Sequence, residues 1–131
     1  MRINARFLVV LIFFFASIIS AQSAVYFCKS TGAFGYAYGQ NSVEEAENKA
    51  YNACKEYGGT NIIKVASTSK TGWGVIAVGY DDSGYRSIGV ALGYDDMEEA
   101  KSAAKKYCSD SGGKDITYYD FWDDYDFLIN H

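Results

Sequence analysis

The chain has 131 residues, 49% hydrophobic and 17% aromatic, with no proline and a formal net charge of −4. Its single histidine is the final residue, His131, which argues against Ser-His-Asp, Cys-His and zinc-type sites, since each needs a positioned imidazole or a ligand cluster. The acidic balance disfavours nucleic acid and anionic lipid as partners.

The first residues place Arg2 and Arg6 ahead of an apolar run from Phe7 to Ile19, followed by the small residues Ser20 and Ala21. This is the layout of a secretory signal peptide. The run is shorter than the roughly 20 residues that cross a bilayer, so residues 1–21 are expected to be removed, with Ala21 the preferred cleavage point and Ser23 the second. An uncleaved anchor is the competing reading. The expected product is exported, periplasmic or extracellular, and not held in a membrane after cleavage. Ten basic residues then face sixteen acidic ones, a net charge near −6. About 110 residues suffice for one small domain.

Two strands are expected at Ala24–Lys29 and from Ala33 to Ala37 and beyond, separated by the turn signal KSTG. In the second, Phe34, Tyr36 and Tyr38 alternate with Ala33, Gly35 and Ala37, giving one bulky face and one small face. Ser42 with Glu45 three residues on reads as a capping box, and Val43, Ala46, Ala50 and Cys54 form the inward stripe of a helix of about four turns. Gly58-Gly59 can end it, and Asn61–Ala66 reads as a third strand.

The pattern then repeats. At an offset of 54, Ala37 to Gly59 aligns with Ala91 to Gly113, with identities at Ala37/Ala91, Gly39/Gly93, Glu44/Glu98, Glu45/Glu99, Ala46/Ala100, Ala50/Ala104, Cys54/Cys108 and the paired glycines. Strands at Val75–Tyr80 and around Ile88–Leu92, a helix capped by Asp96 with the stripe Met97, Ala100, Ala104 and Cys108, and a strand at Asp115–Phe121 complete the second copy. A two-residue insertion at Tyr85-Arg86 keeps the alignment in register. The fold class is α+β: two tandem ββαβ repeats, about 24–67 and 75–121, forming a mainly antiparallel sheet with two helices on one face, in a single domain spanning 22–131. The helices are expected on the bulky strand face, large against small. A monomer is the simplest state, and a dimer that swaps halves is its competitor.

The run Ser30 to Cys54, followed by GG and a β-rich stretch in an exported chain, resembles the domain-of-unknown-function family numbered 4189. Ala46, Ala50 and Cys54, and their counterparts Ala100, Ala104 and Cys108, match its helix motif. The resemblance implies a small secreted bacterial domain and no established reaction. It also implies a partner cysteine soon after the helix, where this chain has Thr60, Asn61 and Lys114.

The three cysteines, Cys28, Cys54 and Cys108, all fall on inward positions. Their odd count in an oxidising compartment suggests one disulfide and one thiol. Cys28 with Cys54 is the preferred pair, because strand and helix of one copy face each other, and Cys54 with Cys108 is the rival; Cys28 as a free redox thiol is a further reading. Paired carboxylates at Asp81-Asp82, Asp95-Asp96, Glu44-Glu45 and Glu98-Glu99 have turn or capping roles. The stretch Asp120 to Asp126 lacks the glycine and spacing of a calcium loop. No catalytic, metal or cofactor residues are therefore assigned.

The tail from 122 to 131 concentrates aromatics and acids, which either cap the core or form a contact surface. The candidate interaction residues are Trp73, Tyr85, Arg86, Trp122, Asp123, Asp124, Tyr125, Asp126 and Phe127. The expected function is a non-enzymatic exported binding module acting on a protein, with inhibition of a basic toxin or hydrolase as its sharpest form. An envelope glycan, bound or cleaved, is the alternative. Function is expected where the copies differ: Cys28 against Tyr80, the Tyr85-Arg86 insertion and the tail.

Overall fold

In a computed structural model the described residues are 21–124. Residues 1–20, which hold all but the last residue of the expected signal peptide, lie outside them, as do Tyr125, Asp126 and Phe127. Six strands and two helices follow in the order β1 Gln22–Phe27, β2 Phe34–Gln40, α1 Val43–Glu56, β3 Ile63–Thr68, β4 Trp73–Tyr80, β5 Arg86–Tyr94, α2 Met97–Asp110 and β6 Lys114–Asp123. The expected α+β fold of two ββαβ repeats is present. None of the described helices is long and apolar enough to cross a membrane.

Each helix begins where its cap places it. Ser42 Oγ accepts the Glu45 N–H at 3.0 Å, and Asp96 Oδ2 accepts the Glu99 N–H at 3.0 Å, satisfying donors that have no partner inside a first turn. At the other end, the Gly59 and Gly113 N–H groups return to the carbonyls of Cys54 and Cys108, each at 2.9 Å.

The strands form two three-stranded antiparallel sheets, β2-β1-β3 and β5-β4-β6, instead of one. Period-two alternation explains how they stack. Val25, Phe27 and Phe34 from the first sheet share one core cluster with Ile76, Ile88, Val90 and Trp122 from the second. The opposite faces carry Ala24 and Ala37 against Ala46 and Ala50 of α1, and Val75, Ala77 and Ala91 against Ala100, Ala104 and Cys108 of α2. The layers therefore run helix, sheet, sheet, helix, with the helices on opposite outer faces.

This corrects the expectation of both helices on one bulky face. Burying a large apolar side chain is worth about 1.5–3 kcal/mol, and an alanine stripe offers little area against which to bury one. Two bulky sheet faces bury each other instead, and the small faces admit a helix at very close range. A Cβ at Gly35 would run into Ala50 O and Cys54 N, and one at Gly89 into Ala104 O and Cys108 N.

Both sheets carry matching irregularities. Gly39 and Gly93 take positive φ, +68° and +71°, where the β1–β2 and β4–β5 registers shift. This left-handed backbone explains an identity between the copies that packing alone does not. A second shift falls at Val65 in β3 and at Tyr119 in β6. The alignment of the first hairpins also needs adjustment. Six residues lie between the paired Phe27 and Phe34, and nine between the paired Val78 and Ile88, so the insertion is three residues long and Gly79 stands where Cys28 stands.

Candidate functional site

Side chains of β2 face those of β6 along one edge of the sandwich and β3 packs beside β5 along the other, with a cleft at each edge. The first, about 360 Å³, is lined by Thr31, Gly32, Ala33, Phe34, Tyr36, Tyr57, Arg86 and Tyr119. The second, about 220 Å³, is lined by Phe27, Lys29, Ile63, Val65, Arg86, Ser87, Ile88 and Ser111. At the repeat offset Phe34 matches Ile88, Tyr57 matches Ser111 and Tyr119 matches Val65. The two clefts are thus one feature of the scaffold made twice, with aromatic residues at these three positions in one and smaller residues in the other, and Arg86 borders both.

Each wall of the aromatic cleft has a local cause. Phe34 and Tyr36 stand on the inner face of β2, their rings 6.3 Å apart. Tyr57 caps the C-terminus of α1 and is 75% exposed. The bulge in β6 leaves Tyr119 without a partner in β4, between Tyr118 opposite Ala77 and Asp120 opposite Ile76. Tyr119 and Asp120, although consecutive, both reach the β2 side: the Tyr119 ring meets Phe34 edge-on at 4.8 Å, and Asp120 Oδ2 accepts the Tyr36 hydroxyl at 2.6 Å. Burial first, and then the Asp120 carboxylate, push the Tyr36 phenol above its ordinary pKa, so it remains a hydrogen-bond donor.

Arg86, from the inserted segment, closes the cleft. Its Nη1 donates to Gly32 O at 2.8 Å and its guanidinium lies 5.4 Å from the Phe34 ring centroid. Lys29, Lys49, Lys64, Lys70, Lys106 and Lys114 each contact a carboxylate, whereas Arg86, like Lys55, Lys101 and Lys105, makes no ion pair among the described residues. A planar guanidinium with unused donors, fixed by a carbonyl and a ring, is suited to a carboxylate or another planar anion.

Comparison of the chain with models of known families, with curated proteins and with solved structures finds no match in any of the three.

The other candidates are distributed as follows. Tyr85 is exposed on the turn beside Arg86. Trp73 packs partly buried against the α2 cluster. Trp122 is 6% exposed, stacked on Tyr36 and Tyr38 at 5.6 and 4.8 Å, so it closes the core and is not a surface platform. Asp123 is half-buried and Asp124 buried. Burial lifts the Asp124 carboxyl to about 6, against the pull of the Ser23 hydroxyl and the Gly39 N–H. No cluster of three or more histidine, cysteine or acidic side chains suited to a metal ion occurs among the described residues.

All three cysteines are buried and unpaired. Cys54 and Cys108 hold equivalent places, each Sγ donating at 3.5 Å to a strand carbonyl, of Ala33 and Ser87 respectively. Burial raises both thiols. Cys28 differs: hydrogen bonds from the Ser30 and Thr31 side chains and from the Thr60 and Thr31 backbone bring its thiol down to about 5.

Tyr57, Tyr119, Phe34 and Tyr36 are site residues that the sequence pattern did not single out. A signal for Phe34, Tyr57 and Tyr119 exists in the sequence, because each is an aromatic whose counterpart in the other copy, Ile88, Ser111 or Val65, is smaller.

Proposed function

We propose that the protein is an exported, non-enzymatic binding module of the 4189 type that holds a protein partner at the aromatic cleft between β2 and β6. The observation carrying this reading is the contrast between the two repeat-related clefts. Ile88, Val65 and Ser111 fill the scaffold's needs at one edge, so packing does not require Phe34, Tyr57 and Tyr119 at the other, and Arg86, which borders both clefts, turns its guanidinium toward the Phe34 ring of the aromatic one. Tyrosine and arginine are the residue types that dominate protein contacts, supplying large rigid area and directed donors. The acidic mature chain favours a partner that is basic overall, with one carboxylate seated on Arg86.

The test is recovery of partners from an envelope extract with the mature protein and with Arg86→Ala and Tyr119→Ala. A partner retained by the parent and lost by both variants supports the reading. Equal recovery by all three proteins overturns it.

A second reading, an envelope glycan as ligand, is favoured by one feature: the exposed rings of Tyr57 and Tyr119 flank a cleft of about 360 Å³. Sedimentation with insoluble peptidoglycan that depends on Tyr57 and Tyr119 would favour it over a protein partner.

A further inference from the structure

The second asymmetry between the copies concerns sulfur. Cys28 N–H donates to Ala33 O at 2.8 Å and Cys54 Sγ donates to the same oxygen at 3.5 Å, so the two cysteines meet on one carbonyl. Together with Ala33 they form one buried cluster. Cys108 makes the matching contact with Ser87 O, but the position across from it is Gly79. The scaffold thus contains a dithiol in one copy and a single thiol in the other.

The surroundings also divide the labour within the dithiol. Cys28 Sγ lies 3.3 Å from Ser30 Oγ and 3.8 Å from Thr60 Oγ1, within a nest of donors that suits a thiolate. It is buried, while Lys29, Ser30 and Thr31, the turn residues that follow it, are exposed. Cys54 lies on the inward stripe of α1, where burial and then the charge of Cys28 keep its thiol protonated.

We propose that Cys28 and Cys54 form a redox pair in which Cys28 is the attacking sulfur and Cys54 the resolving one, with Cys108 taking no part. The oxidant is a peroxide, a small neutral molecule that reaches the buried thiol through opening of the exposed turn after Cys28. The Cys28 thiolate attacks one oxygen of hydrogen peroxide, the O–O bond breaks, and Cys28 becomes a sulfenic acid as hydroxide leaves. Cys54 sulfur then attacks Cys28 sulfur, the S–O bond breaks and the S–S bond forms. The hydroxide released from sulfur takes up the Cys54 proton and leaves as water. The hydroxide released from the peroxide takes up the proton that Cys28 gave to solvent when it ionised, and becomes a second water. The two sulfurs lose two electrons and the peroxide gains two.

The experiment treats the reduced, folded mature protein with equimolar hydrogen peroxide and maps the products by mass spectrometry. A loss of two hydrogens in a linked Cys28–Cys54 peptide is expected, and Cys108→Ala should give the same product. Cys54→Ser should instead stop at a sulfenic acid on Cys28, trapped by dimedone, at a rate whose pH midpoint lies well below that of an ordinary thiol near 8.5. A linked peptide containing Cys108 overturns the proposal. So does a folded protein in which Cys28 reacts no faster than Cys108, or in which the pH midpoint is ordinary. Circular dichroism of Cys54→Ser, with Cys54→Ala as the second variant, separates failure to fold from failure to react.

Discussion

Replacing Gly89 by alanine adds one methyl group at the tightest point of the structure. That Cβ would collide with two backbone atoms of α2, Ala104 O and Cys108 N, and would stand 2.9 Å from the Cys108 Cβ. None of these can rotate away, so the helix must move outward, by roughly 1 Å to restore contacts near 3.4 Å. A gap of that size forfeits a quarter to a half of the dispersion energy along the interface, where Ala100, Ala104 and Cys108 meet Val75, Ala77 and Ala91. Ordinary overpacking costs about 1–3 kcal/mol, and a collision with backbone on both sides belongs at or above the upper end. About 3 kcal/mol is a large part of the roughly 5–15 kcal/mol typical of a domain. Gly84→Ala is the control: its φ is +84° but nothing lies within 4 Å of the added Cβ, so it carries only the left-handed penalty of about 1–2 kcal/mol. Urea unfolding measures both, with the slope checked for constancy. If Gly89→Ala loses no more than Gly84→Ala, α2 does not lie on the small strand face and the order helix, sheet, sheet, helix is wrong.

Three further outcomes follow from single contacts. Asp124, raised to about 6 by burial, holds in the native state a proton that the unfolded chain releases near pH 3.9. Stability from this group is full below about pH 4 and is lost as pH rises through 6, by about 1–2 kcal/mol once screening by nearby solvent is allowed for. Asp124→Asn should remove this fall, which urea midpoints of the two proteins at pH 4 and pH 7 would show as a gain for the variant confined to pH 7. Tyr36→Phe deletes the 2.6 Å bond to Asp120 that ties β2 to β6, and a double-mutant cycle with Asp120→Ala should return a coupling of about 1–2 kcal/mol. Ser42→Ala and Asp96→Ala each remove one cap bond, and denaturation should show losses of about 1 kcal/mol apiece.

The elements were legible because their signals are local. Ser42, Asp96 and the glycine pairs punctuate the helices, and the alternation of Phe34, Tyr36 and Tyr38 with Ala33, Gly35 and Ala37 marks a strand with two unlike faces. Which face meets the helix was not legible by the rule of large against small. The deciding quantity is how closely two backbones approach, and Gly35 and Gly89 record that only when read as missing side chains at a contact. The bulge at Tyr119 was equally hidden, since a strict period of two places Tyr119 and Asp120 on opposite faces. Trp122 was ambiguous for another reason: whether a large aromatic at the end of a last strand faces solvent depends on a surface from the other repeat, here Tyr36 and Tyr38.

These departures have a common physical root that bears on function. A duplicated unit must bury the same faces in both copies, so residues shared between copies report on the layers, and residues that differ report on what only one copy does. The principle holds only after three-dimensional alignment, because the hairpins differ in length and Cys28 corresponds to Gly79 and not to Tyr80. Aligned in this way, four of the differences lie close together. Tyr57, Tyr119 and Arg86 line a cleft whose floor includes Ala33, the residue whose carbonyl receives both Cys28 and Cys54. A disulfide formed under Ala33 would therefore act on the backbone that carries Gly32 O, the anchor of the Arg86 guanidinium. If oxidation of the dithiol and binding at the cleft are coupled through that carbonyl, partner affinity must differ between the reduced and oxidised proteins, and Arg86→Ala must abolish the difference. Equal affinity in both redox states would mean that the two asymmetries are neighbours without being linked.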